Sequence, residues 1–172
     1  MNLQENIQRI KEMMGLISEN ESTTLEELNN TPADIKVNKG AISDVTTIYY
    51  SLGDATAEVK YFGEDEIMGI ELELPWKTKE FYLERIDRKN DAIKGIGLIL
   101  LKNIFEHSKR NKINIITLKR DEFSGPKLHE YYKKLGFVDA NKDNPNEMYL
   151  DLRTDEPLKK INELINELIN KS

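Results

Sequence analysis

Apolar residues recur along this chain with two periods, one of three to four residues and one of two, and the switches between them mark its elements. Residues 3–17 place Leu3, Ile7, Ile10, Met14 and Ile17 on one stripe, the spacing of an amphipathic helix. Residues 157–171 repeat the pattern with Leu158, Ile161, Leu164, Ile165, Leu168 and Ile169. Between these helices the strand period dominates. Residues 42–50 and 55–62 predict a hairpin about Leu52-Gly53-Asp54, and residues 67–74 predict a further strand before Pro75-Trp76. In that strand Glu71 and Glu73 alternate with Ile70, Leu72 and Leu74, so one face is apolar and the other acidic.

The second half of the chain alternates the two periods. Residues 81–86, rich in β-formers, end in the polar cluster 87–91 and predict a strand followed by a loop. Residues 98–105 predict a helix and residues 113–118 a second strand, which together make a βαβ unit with its ligand site at the carboxyl ends of the strands. A turn-forming loop at residues 121–126 leads to a short helix over 127–135 that Gly136 stops, with Phe137 and Val138 expected to re-enter the core.

Between the first strand and the helix lies Ala92-Ile-Lys-Gly-Ile-Gly97, which puts Gly95 and Gly97 at the start of the helix. The first four N–H groups of a helix lack an intrahelical partner, and the aligned peptide dipoles leave about half a positive charge there. Glycine removes the Cβ atoms that would keep a phosphate from those N–H groups. In isolation, a turn or a close helix-to-strand contact is the more frequent reason for a G-x-G pair. The two common nucleotide motifs both fail: Leu98 and Ile99 stand where a P-loop needs Lys-Ser or Lys-Thr, and Leu100 stands where a dinucleotide fingerprint needs glycine or alanine.

The pairing of this turn with the ending Tyr132-Lys-Lys-Leu-Gly-Phe137 resembles the GNAT superfamily of acyl-CoA-dependent N-acetyltransferases, over about residues 80–152. The resemblance implies an α/β fold with a mixed, twisted central sheet flanked by helices, to which the N- and C-terminal amphipathic helices are additions. It implies acetyl-CoA as acyl donor, direct transfer to a primary amine in a ternary complex, and no metal. The donor's pyrophosphate would lie on the turn, drawing on Ile86, Arg88, Ala92, Ile93, Lys94, Gly95, Ile96, Gly97 and Leu98. Ala92 stands where the family usually carries arginine or glutamine, and Ser124 or Gly125 near its asparagine. Arg88, Lys89 and Lys94 are then either substitute cations or a solvated loop.

Amine acylation needs a base for the ammonium proton, N–H donors for the developing oxyanion and an acid for the thiolate. Tyr132 matches the family's tyrosine and is the expected acid; a packing tyrosine is the alternative. Glu84 is the expected base, with Glu71, Glu73, Glu80 and His129 as rivals. On a regular strand it shares a face with Tyr82 and Ile86, and a bulge reverses that assignment. The acceptor is a small-molecule or peptide amine, which the acidic strand face 71–73 could attract.

Composition narrows the rest. The 172 residues suffice for one domain with a sizeable core, and we expect a helical extension over 1–30, the acyltransferase-like domain over 31–153 and a terminal helix over 154–172. A formal charge of −6 argues against nonspecific nucleic-acid binding. Lys109, Arg110 and Lys112 form a local basic cluster, read as cations favouring a helix C-terminus or as a patch that steers the donor. The absence of cysteine excludes disulfides and a thiolate nucleophile. No apolar run is long enough to span a bilayer and no secretory signal opens the chain, so a cytoplasmic protein is expected. Residues 5–15 resemble leaders of proteins encoded by marine bacteriophages. His107 and His129 lack a metal-ligand spacing, and His107 is expected on the helix surface. The terminal helices could pack on each other, on the sheet or on another subunit, so homo-oligomerisation and a noncatalytic assembly module stay open beside the transferase.

Overall fold

A computed structural model describes residues 23–40, 45–62, 80–89, 91–121, 125–141 and 143–171. The predicted helix over 3–17, the strand over 67–74 with Glu71 and Glu73, Pro75-Trp76 and Ser124 lie outside the described residues. The elements in chain order are α1 (Leu25–Asn29), β1 (Asp34–Lys39), β2 (Val45–Leu52), β3 (Ala55–Phe62), β4 (Glu80–Arg88), α2 (Ile96–Arg110), β5 (Ile115–Lys119), α3 (Gly125–Lys134), β6 (Val138–Asn141), β7 (Asn144–Asp151) and α4 (Glu156–Lys171). Among the described residues the strands form one sheet in the order β1-β2-β3-β4-β5-β7-β6. Its β4–β5 pair is parallel and its other pairs are antiparallel. The fold is therefore α/β with a mixed sheet flanked by helices, as expected.

Strand alternation decides which face carries the core. Ile48, Tyr50 and Leu52 of β2, Ala55, Ala57, Val59 and Tyr61 of β3, Phe81 and Leu83 of β4, Ile116 and Leu118 of β5, and Met148 and Leu150 of β7 are all buried. On this face lies α2, whose Ile96, Ile99, Leu100, Leu101, Ile104 and Phe105 are fully enclosed. The C-terminal helix α4 packs its stripe against α2 and buries Ile161 and Ile165 completely, so this apolar face is used within the chain.

Four elements, α1, β1, β6 and β7, are not predicted from the sequence, and two of them show why. One is α1, a single turn fixed by a capping box: the Thr24 hydroxyl accepts from Glu27 N–H at 3.2 Å, and the Glu27 carboxylate accepts from Thr24 N–H at 2.8 Å. The other is β1, exposed along its whole length, which has no burial period to reveal it.

Three expectations are corrected. His107 is not on the helix surface. Its spacing from Leu100 and Ile104 puts it on the core stripe of α2, where its ring is buried and bonds Tyr50 Oη through Nδ1 at 2.6 Å. Val138 does not re-enter the core with Phe137: it stays 45% exposed while Phe137 is 1% exposed, because neighbours on a strand point to opposite faces. The second βαβ strand starts at Ile115 rather than 113. Lys112 adopts φ 56° and Ile113 N–H donates to Ser108 O at 2.9 Å, which spends residues 111–113 on closing the helix.

Candidate active site where beta-4 and beta-5 part

The parallel ladder runs from Glu80↔Ile115 to Leu83↔Leu118 and stops there. Both strands continue, but with other partners. From Glu84 to Arg88, β4 stays on β3, ending at Ala55↔Arg88, while β5 follows β7 through Lys119↔Glu147, and Arg120 N–H donates to Asn146 O at 2.7 Å. Among the described residues, the edge of β4 that faces β5 is thus without ladder bonds from Glu84 onward, and the two strands part at their carboxyl ends to leave a wedge. The N-terminus of α2 follows directly from β4 at that end.

The two glycines of the turn have different reasons to be glycine. Gly95 is the N-cap of α2 at φ 95°, a left-handed conformation, and a Cβ there would come within 2.9 Å of Leu168 Cδ1 and 3.1 Å of Leu25 Cδ2. Backbone conformation and close packing account for it without any ligand. Gly97 has neither constraint: its φ is ordinary, and among the described residues nothing lies within 4 Å of where its Cβ would be. A glycine in the first turn of a helix costs up to about 1 kcal/mol relative to alanine. No packing within the described residues offsets that cost, and the open space lies over the helix dipole's positive end.

The amides of the turn divide in the same way. Ile96 N–H donates to Ile93 O at 3.1 Å and Leu98 N–H to Gly95 O at 2.9 Å, while their side chains face the core. Among the described residues, Gly97 N–H has no acceptor. Ala92 and Ile93 pack partly buried against the core, and so does Ile86, which lies opposite Ala57. Arg88 and Lys94 are exposed beside the turn. Lys89 points away, paired with Asp54 at 2.9 Å. Lys94 also lines a cavity of about 650 Å³ with Leu25, Ile93, Leu168 and Lys171. The basic cluster at the far end of α2 is partly engaged, because Lys109 pairs with Asp155 and donates to Thr154 O at 3.2 Å.

Tyr132 and Glu84 lie on opposite sides of the sheet. The Tyr132 ring packs on Phe137 at 5.4 Å between centroids, and Phe137 packs on Phe105 of α2, so this tyrosine stands on the helix-bearing side. Burial pushes its phenol pKa up, with the nearby Arg120 opposing. Glu84 stands at a β-bulge: Glu58 pairs with Arg85 and Val59 with Leu83, which leaves Glu84 as the extra residue of β4. The bulge turns Ile86 to the core face and leaves Glu84 on the outer face. There its carboxylate pairs with Lys60 at 3.2 Å, where Lys60 alternates with buried Val59 and Tyr61. Tyr82 sits beside them; burial first and Glu84 second push its phenol up. Lys60 and Tyr82 had no sequence signal beyond ordinary alternation. The rival Glu80 accepts from Thr117 Oγ1 at 2.7 Å, and His129 bonds Asp139 at 2.6 Å at the far edge of the sheet.

Among the described residues no three His, Asp or Glu side chains are grouped to hold a metal, and no helix is long and apolar enough to cross a membrane. No protein-family model matches the chain, and no curated protein matches it. Solved structures do. A mutant of the toxin AtaT bound to the C-terminus of the antitoxin AtaR and to acetyl-CoA is similar at 15% identity, with a TM-score of 0.40, over 70% of this chain and 71% of that one. A structure described as a bacterial toxin is similar at 18% identity, with a TM-score of 0.43, over 72% and 73%.

Proposed function

We propose that this chain is an acyl-CoA-dependent N-acyltransferase that moves an acetyl group from acetyl-CoA to a primary amine. The observation that carries this reading is the wedge: a parallel strand pair that stops at Leu83↔Leu118 and opens toward a helix N-terminus where Gly97 is bare. An extended donor needs just these two features, a run of strand edge for its amide-bearing arm and a cluster of N–H groups for its diphosphate. Gly97 N–H and the helix dipole take the diphosphate, with Arg88 and Lys94 as flanking cations. The arm lies in the wedge beside residues 84–88, whose edge groups are unspent on that side.

The opposed placement of Glu84 and Tyr132 suits direct transfer. The acceptor ammonium approaches from the outer face and gives one proton to Glu84. Its nitrogen lone pair then attacks the thioester carbonyl carbon, and the resulting oxyanion is met by N–H groups of the β4 edge. As the C–S bond breaks, the nitrogen loses a second proton to water and the thiolate takes one from Tyr132, which burial holds protonated. Glu84 then returns its proton to solvent and Tyr132 regains one. The products are an amide, free CoA and one released proton.

Binding is the first test. Acetyl-CoA at 100 times its dissociation constant stabilises the fold by about 2.7 kcal/mol, which for a chain of this length is a rise in Tm of about 5–11 °C. Gly97→Glu places a carboxylate over the same N–H groups and abolishes the rise. Absence of any shift with acetyl-CoA or CoA refutes the reading and favours a noncatalytic role for the scaffold.

A further inference from the structure

Two irregularities of the sheet coincide. The β4–β5 ladder ends at Leu83, and the β3–β4 register slips at the next residue, so Glu84 stands both at the crotch of the wedge and at the bulge. A bulge leaves its extra residue out of the ladder and re-aims its side chain. Here the direction is set from β3, where Lys60 Nζ lies 3.2 Å from Glu84 Oε2. We propose that Lys60 is a positioning residue, which holds the Glu84 carboxylate at the point where β4 and β5 separate so that it meets the acceptor amine. This inference rests on the acyltransferase reading above.

The pair is a poor stabilising device. Its side chains keep 30% and 37% of their surface in solvent, and exposed pairs of this kind contribute about 0–1 kcal/mol. The same exposure suits a carboxylate that must receive a proton from an incoming ligand. Tyr82 lies beside the pair on β4, opposite Lys60 in the β3–β4 register, and its phenol pKa is pushed up by burial first and by the Glu84 charge second, with Lys60 opposing. Glu58 is not free to replace Lys60's partner, because it already pairs with Arg85 at 3.3 Å. When the acceptor arrives as an ammonium, Lys60 keeps its hold on Oε2 and the acceptor's proton passes to the other carboxylate oxygen, Oε1.

A double-mutant cycle on the full chain tests the proposal, following CoA thiol release from acetyl-CoA with spermidine, lysine amide and a peptide with a free N-terminus as acceptors. Glu84→Gln lowers kcat by about 100-fold or more, the contribution of a general base. Lys60→Gln lowers it by about tenfold while KM for acetyl-CoA stays put, and Tm moves by no more than about 4 °C, the upper limit for an exposed pair. Lys60→Arg restores most of the rate, and the double variant is no slower than Glu84→Gln alone, because Lys60 acts through that carboxylate. Multiplying effects in the double variant, no rescue by arginine, or an unchanged kcat in Lys60→Gln overturns the proposal. If acetyl-CoA raises Tm but no acceptor releases CoA, the catalytic pair is refuted and donor binding stands. If acetyl-CoA gives no shift, the parent reading falls instead.

Discussion

Alanine at the two glycines of the α2 turn has opposite effects on stability, although the residues are two positions apart. At Gly95 the backbone is left-handed, φ 95°, which costs an L-residue about 1–2 kcal/mol. The new Cβ also meets Leu168 Cδ1 at 2.9 Å and Leu25 Cδ2 at 3.1 Å. Both atoms are the far ends of side chains that can give way, so overpacking adds only about 1 kcal/mol, the low end of its range. Gly95→Ala therefore destabilises by about 2–3 kcal/mol, a fall in Tm of about 4–12 °C at this chain length. At Gly97 the added methyl meets nothing within 4 Å among the described residues. Gly97→Ala gains up to about 1 kcal/mol from helix propensity and from a less flexible unfolded chain, a rise of about 2–4 °C. Scanning calorimetry with and without acetyl-CoA reads both effects. The Gly97→Ala protein is the more stable one without ligand and yet gains less from acetyl-CoA, since its methyl occupies the space over the free N–H. A Gly95→Ala protein as stable as the native chain refutes the packing argument for Gly95, and a Gly97→Ala protein less stable than the native chain refutes the open space at Gly97. A full acetyl-CoA shift in Gly97→Ala removes that amide from the site.

Two further outcomes follow from titratable groups. Burial first, and the Arg110 charge second, lower the His107 pKa. The folded state then resists a proton that the unfolded chain accepts near pH 6.5. The stability contributed by neutral His107 is complete above that pH and is lost as pH falls through the lower folded value. Urea unfolding between pH 7 and 5 shows this loss in the native chain and a flatter profile in His107→Gln; parallel profiles contradict it. Tyr132→Phe keeps the acetyl-CoA thermal shift, because the ring still packs on Phe137, and slows CoA release by about 100-fold, the scale of general-acid catalysis. Equal release rates remove the phenol from the mechanism.

Elements whose period is uninterrupted were legible in the sequence. The hairpin of β2 and β3, the β4–α2–β5 unit and the α4 helix each present a stripe or an alternation that burial reproduces, whereas α3 stops before Gly136 as predicted but buries none of its residues. The strand β1 was not legible, because all six of its residues are exposed and no buried period distinguishes them. His107 is misplaced from sequence because its polar character hides its position on the stripe, and its buried Nδ1 is satisfied by Tyr50, 57 residues earlier in the chain. The candidate site was legible as a set of residues and not as an arrangement. Its turn and its tyrosine can be read locally, whereas the face of Glu84 depends on a bulge set by how β4 registers with β3.

By itself, the sequence determined that α2, α3 and α4 are helices and β2 to β5 strands, that two glycines open α2, and that a tyrosine precedes the Gly-Phe ending. These are properties of neighbours along the chain, fixed by backbone sterics and the period of apolar side chains. Tertiary structure alone decided that Gly95 is spoken for by Leu168 and Leu25 while Gly97 is open, that the parallel ladder stops at Leu83, and that Lys60 meets Glu84. Each of these depends on strand register and on contacts between distant segments, where a shift of one residue turns a side chain to the other face.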